Sequence, residues 1–90
     1  MLEFLKKLGI LISPTLIEEN RCVIDLEDSN SYQAMFELLD VNDDLQTDEE
    51  SVVFTAEYNE ITFKKDDYTL KLVANFEEEK YYLEVVKENE

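Results

Sequence analysis

Carboxylates are the most abundant chemically active groups in this 90-residue chain, and they are concentrated in one stretch. The 42 residues between Arg21 and Lys64 contain 12 acidic residues and no lysine or arginine. These acids are Asp25, Glu27, Asp28, Glu37, Asp40, Asp43, Asp44, Asp48, Glu49, Glu50, Glu57 and Glu60. Carboxylates can bind cations, act in pairs as acid and base, or present negative charge to a basic partner. This stretch is therefore either a solvated loop and helix surface or a surface that holds something positive.

The composition excludes most other catalytic and cofactor chemistry. The chain has no histidine, one cysteine and one glycine. Without histidine there is no Ser-His or Cys-His nucleophile and no His-ligated zinc or haem, and a single glycine does not make a phosphate-binding loop. Cys22 lies in the apolar phase of a predicted strand, which indicates a small buried side chain rather than a nucleophile. We predict a protein that is not an enzyme and has no cofactor.

Alternate residues in the middle of the chain have the spacing of ligands in a calcium-binding EF-hand loop. They are Asp40, Asn42, Asp44, Gln46 and Asp48. The pattern then departs from that loop, because Leu45 stands where the turn glycine belongs and Ser51 where the bidentate glutamate belongs. We predict no dedicated metal site, and weak nonspecific binding of divalent cations stays open.

Two helices are predicted to position the acidic stretch. Residues 2–8 place leucines on one side and two lysines in the last turn, and Gly9 ends this helix. A second helix over residues 29–40 is capped by Asp28 or Ser29. Its polar ridge consists of Gln33, Glu37, Asp40 and, if the helix continues, Asp44.

From residue 52 onward apolar residues alternate with polar ones, which predicts a four-stranded antiparallel β-meander over residues 52–87. Turns at Asn59-Glu60 and Asp66-Asp67 and a loop at residues 77–80 place the apolar residues of all four strands on one face. They are Val52, Phe54, Ala56, Tyr58, Ile61, Phe63, Leu70, Leu72, Ala74, Phe76, Tyr81, Leu83 and Val85. The two helices are expected to cover this face.

Residues 15–26 have the pattern of an N-terminal hairpin that could extend the sheet, with a turn at Glu19-Asn20. A single helical turn over residues 15–18 is the alternative, because Thr15 and Glu18 fit a capping box.

The predicted fold is a single α+β domain over residues 1–90. No apolar run is long enough to cross a bilayer and the N-terminus does not read as a signal peptide, so we expect a cytoplasmic protein.

The net charge of −15 argues against nucleic acid and anionic membranes as ligands, because both are bound largely by lysine and arginine. A basic protein surface is the partner expected for an acidic patch. The residues predicted to form this patch are Glu37, Asp40, Asp43, Asp44, Asp48, Glu49 and Glu50. Asp40, Asp43 and Asp44 lie at or beyond a helix C-terminus, where the helix dipole disfavours negative charge.

Two interpretations of this patch are open at the level of sequence. In one, a small acidic binding or inhibitor protein imitates nucleic acid, as phage anti-host or anti-defence proteins do, or neutralises a nuclease toxin, as immunity proteins do. In the other, the acidic face is merely solvated and the chain is a small cytosolic chaperone or adaptor. The second interpretation requires an apolar dimer interface or client groove. Neither interpretation determines the oligomeric state.

Overall fold

The protein folds into one antiparallel sheet with two helices packed on one of its faces. The computed structural model describes residues 2–10, 12–43, 45–47 and 52–88. The elements are α1 (Leu2–Lys7), β1 (Leu16–Ile17), β2 (Arg21–Leu26), α2 (Ser29–Asp40), β3 (Gln46–Thr47), β4 (Val53–Phe54), β5 (Tyr58–Lys65), β6 (Tyr68–Asn75) and β7 (Lys80–Lys87). The sheet order is β1-β2-β7-β6-β5-β3, and β4 also pairs with β5. The α+β class is confirmed, but the predicted number of strands is too low, because the sheet has seven strands and not only the four of the meander.

Each helix has the terminus that the sequence predicts. The Asp28 side chain caps α2 by accepting a hydrogen bond from the Ser31 N–H at 2.8 Å. Gly9 has a φ of +87° after α1, a conformation that glycine adopts without steric cost. The Gly9 N–H donates to the Lys6 carbonyl at 3.0 Å, and the Ile10 N–H donates to the Leu5 carbonyl at 2.9 Å. These two bonds form a Schellman motif, which turns the chain so that Ile10 packs beside α1.

The predicted turn at Asn59-Glu60 is wrong, because β5 runs straight through these residues. The chain turns earlier, where the Thr55 hydroxyl accepts a hydrogen bond from the Tyr58 N–H at 2.9 Å and donates one to the Tyr58 carbonyl at 3.0 Å. This side-chain turn sets Val53 opposite Glu60. It also corrects three predicted core positions, since Phe54 and Ala56 are exposed and Tyr58 lies in the phase of the uncovered face.

The predicted turn at Asp66-Asp67 is confirmed, with Phe63 opposite Leu70. In the next hairpin the loop lies one residue earlier than predicted, at residues 76–79, and the strand register is displaced by two residues, so that Leu72 lies opposite Leu83 rather than Val85. Side chains alternate with a period of two, so this displacement leaves the same residues on the core face. Phe76 is the exception, because it now belongs to the loop and is 37% exposed.

The predicted N-terminal hairpin is present and joins the sheet through β2, which pairs with β7. Cys22 and Ile24 of β2 are fully buried, as the alternation predicts. The core lies between the covered sheet face and the helices. It comprises Phe4, Leu5, Leu8, Ile10, Cys22, Ile24, Leu26, Tyr32, Met35, Leu39, Leu45, Ile61, Phe63, Leu70, Leu72, Ala74, Leu83 and Val85.

Neither of the two described helices packs on the other sheet face, yet Val73 and Thr62 on it are buried. Long side chains from neighbouring strands cover them, since Val73 lies between Glu60 and Tyr82 in the register. Two ion pairs lie on this face, with Lys71 Nζ 3.9 Å from Glu60 Oε1 and Arg21 Nε 2.8 Å from Glu84 Oε2. Four of the charges on the uncovered face therefore neutralise one another.

Candidate functional site

Three of the seven residues predicted to form the acidic patch lie in the described part of the chain. Glu37 and Asp40 belong to α2, Asp43 follows it, and all three side chains are exposed. The other four, Asp44, Asp48, Glu49 and Glu50, lie outside the described residues. Whether the patch continues through them stays a prediction from their position in the sequence.

The packing of α2 determines the direction in which its acids point. Tyr32, Met35 and Leu39 are buried against the sheet, so Glu37 and Asp40 occupy the opposite side of the helix. The helix ends at Asp40 with no basic residue in its last turn. An acid at this end of a helix opposes the dipole and costs about 0.3–1 kcal/mol when it is exposed. Stability of the helix therefore does not account for Asp40.

Ion pairs connect some of the acids of the sheet and its loops to bases. On the sheet and its loops, Arg21 contacts Glu18 and Glu84, Lys71 contacts Glu60, and Lys80 contacts Glu78. None of Glu37, Asp40 and Asp43 forms an ion pair with another described residue. The α2 acids therefore present negative charge that the described bases do not neutralise.

The fold also gathers a second group of exposed acids that the sequence analysis did not identify. Pairing of Leu26 with Tyr81, and a 2.9 Å bond from the Phe76 N–H to the Glu57 carbonyl, bring three loops to one end of the sheet. The acids there are Asp25, Glu27, Asp28, Glu57, Glu77, Glu78 and Glu79. We call this group the sheet-end acids. Finding them from the sequence would have required the pairing of β2 with β7, which no local pattern specifies.

A groove lined mostly by apolar side chains lies beside α2 and was not predicted. It consists of two adjoining concavities of about 280 and 300 Å³. The first is lined by Leu5, Lys6, Ile10, Ile12, Ser13, Pro14 and Ile17, and the second by Gly9, Ile10, Ile12, Ser31, Ala34, Met35 and Leu38. Because Ile10 and Ile12 line both, the two concavities form one surface, which we call the apolar groove.

No family model, curated protein or solved structure matches this chain. Within the described ranges, no group of three or more cysteines, aspartates and glutamates is arranged to hold a metal ion. Neither described helix has the length and apolar character needed to span a bilayer.

Added salt is expected to raise the melting temperature of this protein. Net charge of −15 makes the compact state repel itself, and salt at physiological strength screens exposed charges beyond about 8 Å. The check is a series of thermal melts monitored by circular dichroism at increasing NaCl concentration. A melting temperature that falls as NaCl is added would contradict the prediction.

Proposed function

We propose that this protein binds a basic surface of another protein through the acids on and after α2, and that it acts as an inhibitor there. One observation carries the proposal: Glu37, Asp40 and Asp43 are exposed and form no ion pair with any described residue. Two of them lie where the helix dipole disfavours negative charge. Residues that cost stability and neutralise nothing nearby are typical of a functional surface.

The spacing of these acids suits imitation of a nucleic-acid backbone. Positions three apart on a helix, such as Glu37 and Asp40, bring Cβ atoms to about 5–6 Å of one another. DNA carries one negative charge per about 1.7 Å of helix axis, so a mimic needs dense carboxylates on a folded scaffold. Asp44, Asp48, Glu49 and Glu50 follow closely in the sequence and would extend the patch.

Two settings use this chemistry. One is inhibition of a host or defence enzyme that binds nucleic acid, as phage proteins do, and the other is neutralisation of a nuclease toxin by an immunity protein. In both settings complementary charge accelerates association and makes it sensitive to salt.

Charge reversal tests the proposal directly. A variant combining Asp40→Lys, Asp44→Lys and Glu49→Lys should lose the ability to displace duplex DNA from a basic partner enzyme by about a hundredfold or more, because each reversal replaces attraction by repulsion. Fluorescence anisotropy of labelled DNA measures the displacement across a panel of nucleases and other DNA-binding enzymes.

The sheet-end acids provide a control with the same change in net charge. A variant combining Glu57→Lys, Glu77→Lys and Glu79→Lys should displace DNA nearly as well as the unmodified protein. If both triple variants lose displacement equally, general charge rather than the α2 patch is responsible. If the first variant competes as well as the unmodified protein, the site lies elsewhere.

The apolar groove favours a second candidate function, that of a chaperone or adaptor. Ile12 is 49% exposed and Ile17 is 57% exposed beside it, which is the kind of surface that a client or a second copy covers. Light scattering distinguishes the two functions. A dimer that persists at high salt would favour the chaperone, whereas a monomer that binds a basic protein only at low salt would favour the inhibitor.

A further inference from the structure

An apolar row runs along α2 next to the acids and continues the apolar groove. Ala34 and Leu38 line the groove. Val41 is the C-cap residue of α2 and keeps a helical conformation, so it lies three residues after Leu38 on the same side of the helix. Val41 is 73% exposed and Ile12, on the facing wall, is 49% exposed. The row Ala34, Leu38 and Val41 is therefore an apolar surface that the fold leaves open on its outer side.

The acids form a parallel row on the same helix. Glu37 comes three residues after Ala34 and four before Val41, so it is a neighbour of both on the helix surface. Asp40 continues the row three residues later. On the far side of the groove the charged lining residue is Lys6. Among the described residues that line the groove or lie in these two rows, the negative charges are therefore those of Glu37 and Asp40 on α2.

We propose that the partner inserts a basic amphipathic helix into the apolar groove. Its apolar residues pack against Ile12, Leu38 and Val41, and its lysines or arginines face Glu37 and Asp40. The inference rests on the proposed function and specifies the partner: binding requires an apolar contact as well as charge. Apolar anchors at positions i, i+3, i+4 and i+7 are how helices occupy grooves of this kind, and their flanking charge must be opposite to that of the groove rim.

The charges around the groove disfavour the other occupants. A second copy of this chain placed in the groove brings another protein of net charge −15 against Glu37 and Asp40, so like charges meet at the rim. An anionic membrane surface meets the same repulsion. A cationic helix removes this repulsion and covers the exposed valine and isoleucine at once.

The probe for this proposal is a fluorescein-labelled synthetic peptide of leucine and lysine, about five helical turns or about 18 residues long, with its leucines on one face. Two control peptides accompany it. One has the same composition with leucines spread around the helix, and the other has glutamate in place of lysine. Anisotropy should show the amphipathic cationic peptide binding about tenfold tighter than the scrambled peptide, with no binding of the glutamate peptide.

Paired variants separate the apolar contribution from the charge contribution. Ile12→Ser with Val41→Ser should raise the Kd for the cationic peptide by roughly tenfold to thirtyfold. The reason is that the bound peptide would no longer cover two apolar side chains that are exposed in the free protein. Val53→Ser with Phe54→Ser is the matched control, since these residues are 40% and 63% exposed at the opposite edge of the sheet. This control should leave Kd within about twofold.

Neutralisation by Glu37→Gln with Asp40→Asn should also raise Kd and should flatten its dependence on NaCl concentration.

Chemical-shift mapping on the unmodified protein gives a readout that does not depend on the folding of any variant. Amide signals of Ile12, Leu38 and Val41 should move on peptide addition, whereas those of the uncovered sheet face should not.

Each alternative outcome is informative about one proposal or both. If the serine variants bind like the unmodified protein while the Glu37 and Asp40 variants lose binding, the groove plays no part and the acidic surface of the proposed function stands alone. If neither pair of variants affects binding, both proposals are overturned. Dimerisation that buries the groove, or equal binding of the glutamate peptide, overturns the basic amphipathic helix as its occupant.

Discussion

Replacement of Phe63 by alanine is expected to lower the free energy of unfolding by about 3–5 kcal/mol. Phe63 is 1% exposed on β5, where it lies opposite Leu70 on the covered face of the sheet. Removing its ring leaves a cavity that close-packed neighbours fill only in part. Domains of this size are stable by about 5–15 kcal/mol, so the variant should unfold at a much lower urea concentration. Circular dichroism and tyrosine fluorescence in a urea titration measure the change.

Phe54 provides the matched control, because it is the same residue type in the neighbouring strand β4 and is 63% exposed. Phe54→Ala should cost less than about 1 kcal/mol. The contrast also tests the strand register, since the sequence-based prediction placed both phenylalanines on the core face. Equal destabilisation by the two variants would favour the predicted register over that of the structure.

Two aspartates made the β5–β6 hairpin predictable. Asp66 adopts a φ of +52°, a left-handed conformation that aspartate tolerates better than most residues, and a two-residue hairpin turn requires such a conformation. The apolar pairs on either side agree with that turn. Asn59-Glu60 has a similar composition, yet the Thr55 hydroxyl forms the turn instead. Composition alone does not distinguish a turn from a strand when a nearby side chain can satisfy the backbone.

The β6–β7 register shows a second limit of sequence patterns. A displacement by two residues keeps every side chain on its face, so hydrophobic alternation does not discriminate between the two registers. The Asn75 side chain helps fix the observed loop by accepting a hydrogen bond from the Glu78 N–H at 3.0 Å. That contact depends on the loop geometry and is not visible as a pattern.

The exposed position of the two acids on α2 was predictable, whereas the apolar groove beside them was not. Helical periodicity placed Glu37 and Asp40 opposite the buried residues of α2, and the structure agrees. The groove requires Ile12 to approach Leu38, and these residues come from a loop and a helix that are separate in the sequence. The available signal was the run of apolar residues after Gly9, which the predicted meander left without a packing partner.

Replacement of Leu39 by alanine is expected to lower the free energy of unfolding by about 2–5 kcal/mol and to do so for the whole domain. Leu39 is 1% exposed and, with Tyr32 and Met35, attaches α2 to the sheet. A helix of 12 residues is marginal in water by itself, so α2 depends on this packing. Leu72 and Leu83 of the sheet are fully buried in the same core cluster, so their burial depends in turn on the helix.

Thermal melts of Leu39→Ala should therefore show the helical circular dichroism and the tyrosine fluorescence changing at one temperature, below that of the unmodified protein. Val41→Ala is the control, because Val41 is 73% exposed two residues later and contributes little to the core. A helix that melts before the sheet would contradict the expected coupling.

The acids and the apolar row are also carried by α2. If the helix unfolds together with the sheet, Leu39→Ala should weaken peptide binding only as far as it lowers the folded fraction. Val41, in contrast, should contribute to binding without contributing to stability.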